Sequence, residues 1–227
     1  AMEEEVSILK EKMEDVRIIK KASMDFYEGQ LAGKKVIVVR SGIGKVNAGI
    51  CAQILADMFS VEAIINTGIA GSLNKDINIG DIVVSTDVVQ HDMDARGFGY
   101  KKGQIPQMPV FFFNADEILR KLAARVCHEV NPDIQVFEGR IASGDQFVCD
   151  QKVKDNIVSE FSAYATEMEG AAIGQAAYLN EIPFLVIRAI SDKADGSATM
   201  DYTQFSKMAS YHSARLVESL IEKLLAL

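Results

Sequence analysis

The sequence predicts an α/β protein in which a sheet is covered by helices on both faces. Short apolar runs rich in β-branched residues alternate with segments whose apolar residues recur at helical spacing. The apolar runs are nearly continuous, which is typical of strands buried on both faces. The 227 residues contain no Pro- or Gly-rich linker and no internal repeat, so we expect one domain over residues 1–227.

The predicted elements alternate along the chain. A first helix is expected from Glu3 to Asp15, with Val6, Leu9 and Met13 facing inward. Further helices are predicted over residues 48–59, 118–130 and 216–224, and strands over residues 35–40, 61–67, 81–89, 136–142 and 183–190. Residues 97–109 form the one long irregular stretch, and long loops in compact domains are often functional.

Composition and charge exclude several classes of function. Lys and Arg number 24 and Asp and Glu 32, a net charge of −8, which argues against nucleic-acid binding but not against a nucleoside ligand. No apolar run approaches the ~18 residues of a membrane span. The three cysteines form no C-x-x-C pair, and the first five residues (AMEEE) include three Glu and no basic residue, unlike a signal peptide, so we expect a cytoplasmic protein.

Glycines and carboxylates recur where predicted strands end. Ligands of open α/β sheets bind at the carboxyl ends of the strands. The segments found there are residues 41–45 (SGIGK), 66–71 (NTGIAG), 143–145 (SGD), 166–170 (TEMEG) and 191–192 (SD). This recurrence is the main functional signal that depends on no known family.

These segments also have plain structural interpretations. Residues 41–45 lack the spacing of a P-loop, so a tight turn and a ligand contact are equally supported. Three small residues in 66–71 exceed what a turn needs and favour close approach to a flat ligand. Asp192 fits an N-cap as well as an acid. A helix N-terminus explains one of Glu167 and Glu169 better than both. A buried Arg188 needs a carboxylate, for which Glu167 is the candidate.

The cluster of His91, Asp92, Met93 and Asp94 resembles a metal site. Adjacent residues of an extended chain face opposite sides, and no second cluster supplies further ligands. A hydrogen-bonded structural role is therefore favoured, and we expect neither a metal nor a cofactor.

Nine segments match, in order, the bacterial 5′-methylthioadenosine/S-adenosylhomocysteine nucleosidases, which the sequence resembles over essentially its whole length. They are residues 1–5 (AMEEE), 41–46 (SGIGKV), 66–68 (NTG), 83–85 (VVS), 91–92 (HD), 98–100 (FGY), 143–145 (SGD), 167–169 (EME) and 188–192 (RAISD). The last two motifs are shared with the wider nucleoside phosphorylase superfamily. The resemblance implies a three-layer α/β/α sandwich around a mixed, twisted sheet. It also implies an enzyme that releases adenine from 5′-methylthioadenosine and S-adenosylhomocysteine by hydrolysis.

The resemblance also implies roles for individual residues. Asp192 would protonate N7 of adenine, and Glu5 would activate the attacking water. Glu169 would bind the ribose hydroxyls above Met168. The remaining substrate-binding residues would be Met2, Ile43, Phe98 and Tyr202 at the sugar and alkylthio end, Phe147 and Val148 at the base, and Ile69, Ala70, Gly71, Glu167, Arg188, Ser191 and Ala194. Pro106 would close the site of a neighbouring subunit through the 97–109 loop, which implies a homodimer.

The sequence departs from the family pattern at two places. Many relatives carry Ser where Ile69 stands, and that Ser helps to hold the catalytic Asp. Ile69 cannot form this hydrogen bond, so Ser191 or a backbone amide is expected to orient Asp192. Relatives also have a short apolar strand before the AMEEE segment, and we expect such a strand to precede Ala1 in the natural protein.

The implied mechanism needs two carboxyl groups in opposite protonation states. Cleavage passes through an oxocarbenium-like transition state, so the leaving base needs a proton and the sugar needs water and negative charge. A free Asp has a pKa near ~3.9 and is almost fully ionised at neutral pH, so the site must raise the pKa of Asp192. Three alternatives stay open: a phosphate-dependent phosphorylase, a nucleosidase for another adenine nucleoside such as 6-amino-6-deoxyfutalosine, and a nucleoside-binding module without catalysis.

Overall fold

The computed structural model describes residues 2–224; Ala1, the first residue of the AMEEE segment, and residues 225–227 lie outside it. The strands are β1 (Glu14–Lys21), β2 (Met24–Leu31), β3 (Lys34–Val39), β4 (Ile64–Ser72), β5 (Ile82–Gln90), β6 (Phe113–Asn114), β7 (Val136–Ser143), β8 (Ala165–Glu167) and β9 (Phe184–Asp192). The helices are α1 (Glu3–Glu11), α2 (Lys45–Phe59), α3 (Glu117–Val130), α4 (Gln151–Phe161), α5 (Gly170–Leu179) and α6 (Ala198–Lys223), with a 3₁₀ turn at Arg96–Phe98.

The central sheet is mixed and has the strand order β6-β5-β7-β8-β4-β9. Strands β4 and β9, β5 and β7, and β7 and β8 pair in parallel, whereas β4 and β8 pair antiparallel. Strand β9 also pairs antiparallel with β5, so the sheet closes on itself. The predicted α/β class with a mixed central sheet is confirmed, and the pairing of β9 with β5 is a feature that the sequence did not predict.

Helices cover the sheet on both faces, and β9 shows why. Its residues Leu185, Ile187 and Ala189 pack in one apolar cluster with α1, α3 and α6. The alternate residues Val186 and Ile190 pack in a second cluster with α2 and α5. Because successive side chains of a strand face opposite sides, a continuous apolar run is buried on both faces.

The predicted C-terminal end of the first helix, Asp15, is wrong. Helix α1 ends at Glu11, and Glu14 begins a three-stranded antiparallel meander of β1, β2 and β3, of which only β3 was predicted. The two connecting turns use Ala22 and Ser23, then Ala32 and Gly33, all with φ between +48° and +73°. Such turns normally carry Asn-Gly or Asp-Gly, so their usual sequence signal is missing. Strand β1 is also almost wholly exposed, and five of its eight residues are charged.

Several other predicted bounds change. Strand β4 begins at Ile64 rather than Val61 and continues to Ser72, so residues 66–71 lie within a strand and not after one. Helix α6 begins at Ala198, 18 residues before the predicted start at Leu216. Within residues 2–224, no helix combines the length and the apolar composition that crossing a membrane requires.

Candidate active site

Glu5 lies in the first turn of α1 and is only 5% exposed. Its Oε2 accepts the Met2 amide at 2.7 Å, and its Oε1 accepts the Ile69 amide of β4 at 3.2 Å. A β-carbon at Gly68 would lie 2.5 Å from Oε1 and 3.0 Å from Nη1 of Arg188. Glycine at position 68 therefore permits the carboxylate and the guanidinium to approach the same point of β4.

The environment of Glu5 favours its ionised form. Burial acts to raise the pKa of this carboxyl, but nearby positive charge, including Arg188, and the bond from the Met2 amide hold the pKa below its ordinary value. An ionised carboxylate of this kind can accept a proton from water or stabilise a cation.

Asp192 ends β9 and is 2% exposed. Its Oδ2 accepts the Ser191 hydroxyl and its Oδ1 accepts the Ala194 amide, both at 2.8 Å. These are the two kinds of donor expected to orient Asp192 where Ile69 replaces Ser. A β-carbon at Gly71 would lie 2.7 Å from Asp192 Oδ1, so the absence of a side chain there makes room for the acid.

The pKa of Asp192 is raised, in the direction opposite to that of Glu5. Burial is the main cause, and the negative charges of Asp195 and Asp201 add to it, against the opposing bonds from Ala194 and Ser191. The site thus holds one carboxyl group suited to keep a proton and another suited to lose one. Such a pair of environments is typical of acid and base assignments in enzymes.

Glu167 and Arg188 form a buried ion pair, so Glu167 is the carboxylate partner that was expected for Arg188. Nε of Arg188 donates to Glu167 Oε2 at 3.2 Å, and Nη2 donates both to Glu167 and to Asn66 Oδ1, the latter at 2.5 Å. Glu167 also accepts the Ser143 hydroxyl and the amides of Glu169 and Gly170. Burial opposes ionisation, but Arg188 and these donors lower the pKa of Glu167. These bonds join Glu167 to β7, to the start of α5 and to β9.

Glu169 has the opposite character. It is 6% exposed, and burial together with the charge of Glu167 raises its pKa. Its Oε1 accepts the Gly44 amide at 2.8 Å, and its Oε2 lies 3.9 Å from Nη2 of Arg188. The 41–45 segment thus contacts a site carboxylate through its backbone, while Gly42 and Gly44 have φ of +83° and +93°. The segment is both a turn that needs glycine and a part of the site.

Tyr202, on the first turns of α6, connects the two ends of the site. Its hydroxyl donates to Met2 Sδ at 3.1 Å, and its ring meets Phe147 edge-on with centroids 6.0 Å apart. Burial raises the pKa of the phenol, and the charges of Glu5, Glu4 and Asp192 add to this shift. The charges of both Glu5 and Asp192 therefore act on the Tyr202 hydroxyl.

The other predicted residues divide into two groups. Ala70, Val148, Ser191 and Ala194 are buried close to Asp192, whereas Ile43 is 53% exposed on its loop. Phe98 is 86% exposed, and Pro106 is half-buried on a segment whose Ile105 and Met108 pack against the core beside α5. Among residues 2–224 of the single chain, the side chains of Phe98 and Pro106 form no hydrogen bond or ring contact with the site residues. Over residues 2–224, no three His, Cys, Asp or Glu side chains are grouped to hold a metal.

Comparison with known proteins identifies the family. A family model described as the phosphorylase superfamily matches residues 1–222. A 5′-methylthioadenosine/S-adenosylhomocysteine nucleosidase of Bacillus thuringiensis is 43% identical over 225 residues, covering 99% of this chain and 96% of that protein. The chain belongs to the phosphorylase superfamily, in its nucleosidase family.

Solved structures that are similar to this phosphorylase-superfamily chain include the following two. The Neisseria meningitidis nucleosidase, in complex with methylthio-immucillin-A, has a TM-score of 0.95 and 40% identity, covering 99% of this chain and 96% of that one. A futalosine hydrolase of Helicobacter pylori has a TM-score of 0.93 and 37% identity, covering 99% and 95%. The similarity therefore includes two nucleoside hydrolases with different named substrates.

The structure adds site residues that the sequence did not single out. Asn66 binds Arg188, Ser143 joins Glu167 to the Ala171 amide at 2.7 Å, and the Gly44 amide binds Glu169. All three lie in segments noted for their place at strand ends, which was the available signal. Their individual roles depend on contacts between residues 24 to 125 positions apart, which local patterns do not report.

Proposed function

We propose that this member of the nucleosidase family hydrolyses the N-glycosidic bond of 5′-methylthioadenosine and S-adenosylhomocysteine. The products are adenine and the 5-thio-substituted ribose. The observation that carries the proposal is a pair of buried carboxyl groups whose pKa values shift in opposite directions. The pKa of Glu5, which lies against Gly68, is lowered, and the pKa of Asp192, which lies against Gly71, is raised. These glycines are three positions apart on β4, roughly 10 Å, which leaves room between the two carboxyl groups for the base and the sugar of a nucleoside.

Asp192 is proposed as the general acid. Its raised pKa favours the protonated carboxyl, and the proton passes to N7 of adenine as the bond from N9 to the sugar breaks. The bonds from Ser191 and Ala194 hold the carboxyl in one orientation and stabilise the carboxylate that results. The apolar side chains of Val148 and Ala194 share a buried cluster next to this acid and provide a surface for the base.

Glu5 is proposed as the general base. Its ionised carboxylate orients a water molecule toward the anomeric carbon, takes a proton as the C–O bond forms, and stabilises the oxocarbenium-like sugar. Glu169 is proposed to accept the ribose hydroxyls, and Met168, half-buried between Glu167 and Glu169, to pack below the sugar.

The charges of the site favour water over phosphate as the nucleophile. Arg188 faces Glu167, Glu169 and Glu5, and its charge is matched by Glu167 within a buried pair. A phosphate arriving beside Glu5 would meet negative charge without a free guanidinium to bind it. The test is adenine release from 5′-methylthioadenosine in phosphate-free buffer. Turnover that appears only on adding phosphate would replace hydrolysis by phosphorolysis, and no release under either condition would reject the activity.

A second substrate is supported by one comparison. The Helicobacter pylori futalosine hydrolase is almost as similar in structure as the methylthioadenosine-named relatives. Hydrolysis of 6-amino-6-deoxyfutalosine needs the same acid and base, because only the group attached to the 5′ carbon differs. Rates measured with the three nucleosides under one set of conditions rank these candidates.

We also infer a homodimer in which the 97–109 loop completes the neighbouring site. Phe98 exposes 86% of its surface in the single chain, and Val46 and Leu179 expose 72% and 61% beside one groove between α2 and α5. Burial of these side chains against a second copy would remove a substantial apolar area from water. Sedimentation measurements on the wild-type protein and on Phe98→Ser test this, and a monomer with full activity would contradict it.

The expected cellular setting follows from the same activity. Free Cys51 and Cys127 are buried and free Cys149 is exposed, which suits the reducing cytoplasm. The adenine and the 5-thio-substituted ribose that the reaction releases would enter methionine salvage. We treat residues 1–227 as one nucleosidase domain, which the family match over residues 1–222 supports. Localisation of the tagged protein by fractionation checks the compartment.

A further inference from the structure

Two lysines outside the site hold the turn that follows Asp192. Lys154 of α4 donates from Nζ to the carbonyl of Lys193 at 2.5 Å. Lys193 in turn donates from its own Nζ to the carbonyl of Ile77, in the segment between β4 and β5. Among the described residues, neither ammonium group has a carboxylate within 4.0 Å, so both serve backbone carbonyls.

The turn held in this way carries one of the two bonds that orient the acid. Ala194, fully buried, has φ of +53°, a left-handed conformation that a residue with a β-carbon rarely adopts. Its amide is the donor to Asp192 Oδ1. A conformation of this kind persists only where surrounding contacts enforce it, and the Lys193 carbonyl lies between the strained residue and the acid.

Lys154 connects this turn with the segment proposed to bind the base. Helix α4 begins at Gln151 behind its N-cap Asp150, two residues after Val148. Val148 and Ala194 belong to the same buried cluster. A displacement of α4 would therefore move the base-contacting segment and the acid together rather than separately.

We propose that Lys154 and Lys193 are positioning residues for Asp192, fixing the turn whose amide orients the acid carboxyl. The inference rests on the proposed function, in which Asp192 donates the proton to the base. Both ammonium groups bind backbone carbonyls of the protein, so their proposed effect is on the direction and the proton affinity of the acid.

Several ionisable groups surround Asp192. Asp195 lies in the same turn, Asp201 and Tyr202 lie on α6, and the two lysines approach from α4 and from the turn itself. Loss of the Lys154 bond would weaken the Ala194 contact, which favours the ionised form, and would remove a positive charge. Both changes raise the pKa of Asp192, so the fall of kcat at high pH should move to higher pH.

The experiment compares Lys154→Met with Lys152→Met, which removes the same charge from an exposed position two residues away on α4. Lys154→Met should lower kcat about tenfold at the pH optimum, leave KM within about twofold, and move the basic limb upward. Lys152→Met should match the wild type in all three, and Lys154→Arg, which keeps a donor, should recover most of kcat. Lys193→Met should shift the same limb in the same direction.

Two results would contradict a positioning role for Lys154. An unchanged basic limb in Lys154→Met, or a loss of kcat that matches a fall in Tm, would leave only a structural role and overturn the inference. The pH dependence of adenine binding by calorimetry gives a readout without turnover, since protonated Asp192 would donate to N7. A wild-type protein without adenine release would reject the proposed function, while the adenine titration of Lys154→Met would still decide the role of Lys154.

Discussion

Glu167 binds the guanidinium of Arg188 through Nε at 3.2 Å, although both side chains are almost completely buried. Glu169, two residues further on, stays 3.9 Å from the same guanidinium and instead accepts a backbone amide from Gly44. The two acids of one motif therefore differ in chemistry: Glu167 is an ionised structural anchor, and Glu169 faces the site with a raised pKa.

This difference predicts unequal effects of isosteric substitution. Glu167→Gln leaves a buried guanidinium without its counter-charge and should lower the free energy of unfolding by about 3 kcal/mol. Glu169→Gln, the matched control, replaces an acid that burial already drives toward neutrality and should cost less than about 1 kcal/mol while raising KM. Urea unfolding and steady-state kinetics measure both. Equal destabilisation by the two variants would contradict the assignment.

Asp192→Asn keeps the shape of the acid and removes its transferable proton. We expect kcat to fall by about 10³-fold, within the range of general-acid contributions, with little change in Tm. Binding of adenine or of a non-hydrolysable nucleoside should persist, and calorimetry would show it. Retention of most of the wild-type turnover would exclude Asp192 as the proton donor.

Gly68→Ala tests whether Glu5 needs its close approach to β4. The added methyl would lie 2.5 Å from Oε1 of Glu5 and 3.0 Å from Arg188, so the base must move and kcat/KM should fall by about 10²-fold or more. Gly196→Ala adds the same methyl where nothing lies within 4 Å, and should retain activity. If both variants are equally active, Glu5 does not depend on this contact.

The pH profile of kcat should be bell-shaped. Asp192 works protonated and its pKa is raised, so kcat should decline as pH rises through that raised value. Glu5 works ionised and its pKa is lowered, so kcat should decline only as pH falls through that lowered value. The optimum therefore lies between the two. In Glu5→Gln the acidic limb should disappear while the basic limb remains, and loss of the basic limb instead would reverse the assignments.

Much of the frame was predictable from local patterns. The continuous apolar runs predicted β5, β7 and β9 within one or two residues, because burial on both faces leaves that signature in any short window. Helix α3 was predicted equally well because its apolar residues follow the helical period, and the structure adds that Asp116 caps its start. The carboxylates of Glu167, Glu169 and Asp192 drew notice because they stand at strand ends.

Other features were decided by contacts between distant parts of the chain. The pairing of β9 with β5 closes the sheet through residues about a hundred positions apart, and no periodicity within either strand reports its neighbour. The same holds for the β1–β2 hairpin, whose Ala-Ser turn lacks the usual glycine, and for the approach of α1 that brings Glu5 onto Gly68.

The sequence by itself determined the α/β class, the buried strands and the acids available for chemistry, because these follow from hydrophobic period and residue type. Only the tertiary structure decided which acid has a lowered pKa and which has a raised one. A pKa depends on burial and on charges brought near in space: Arg188 beside Glu167, and a largely buried pocket around Asp192. Those distances exist only after the chain has packed.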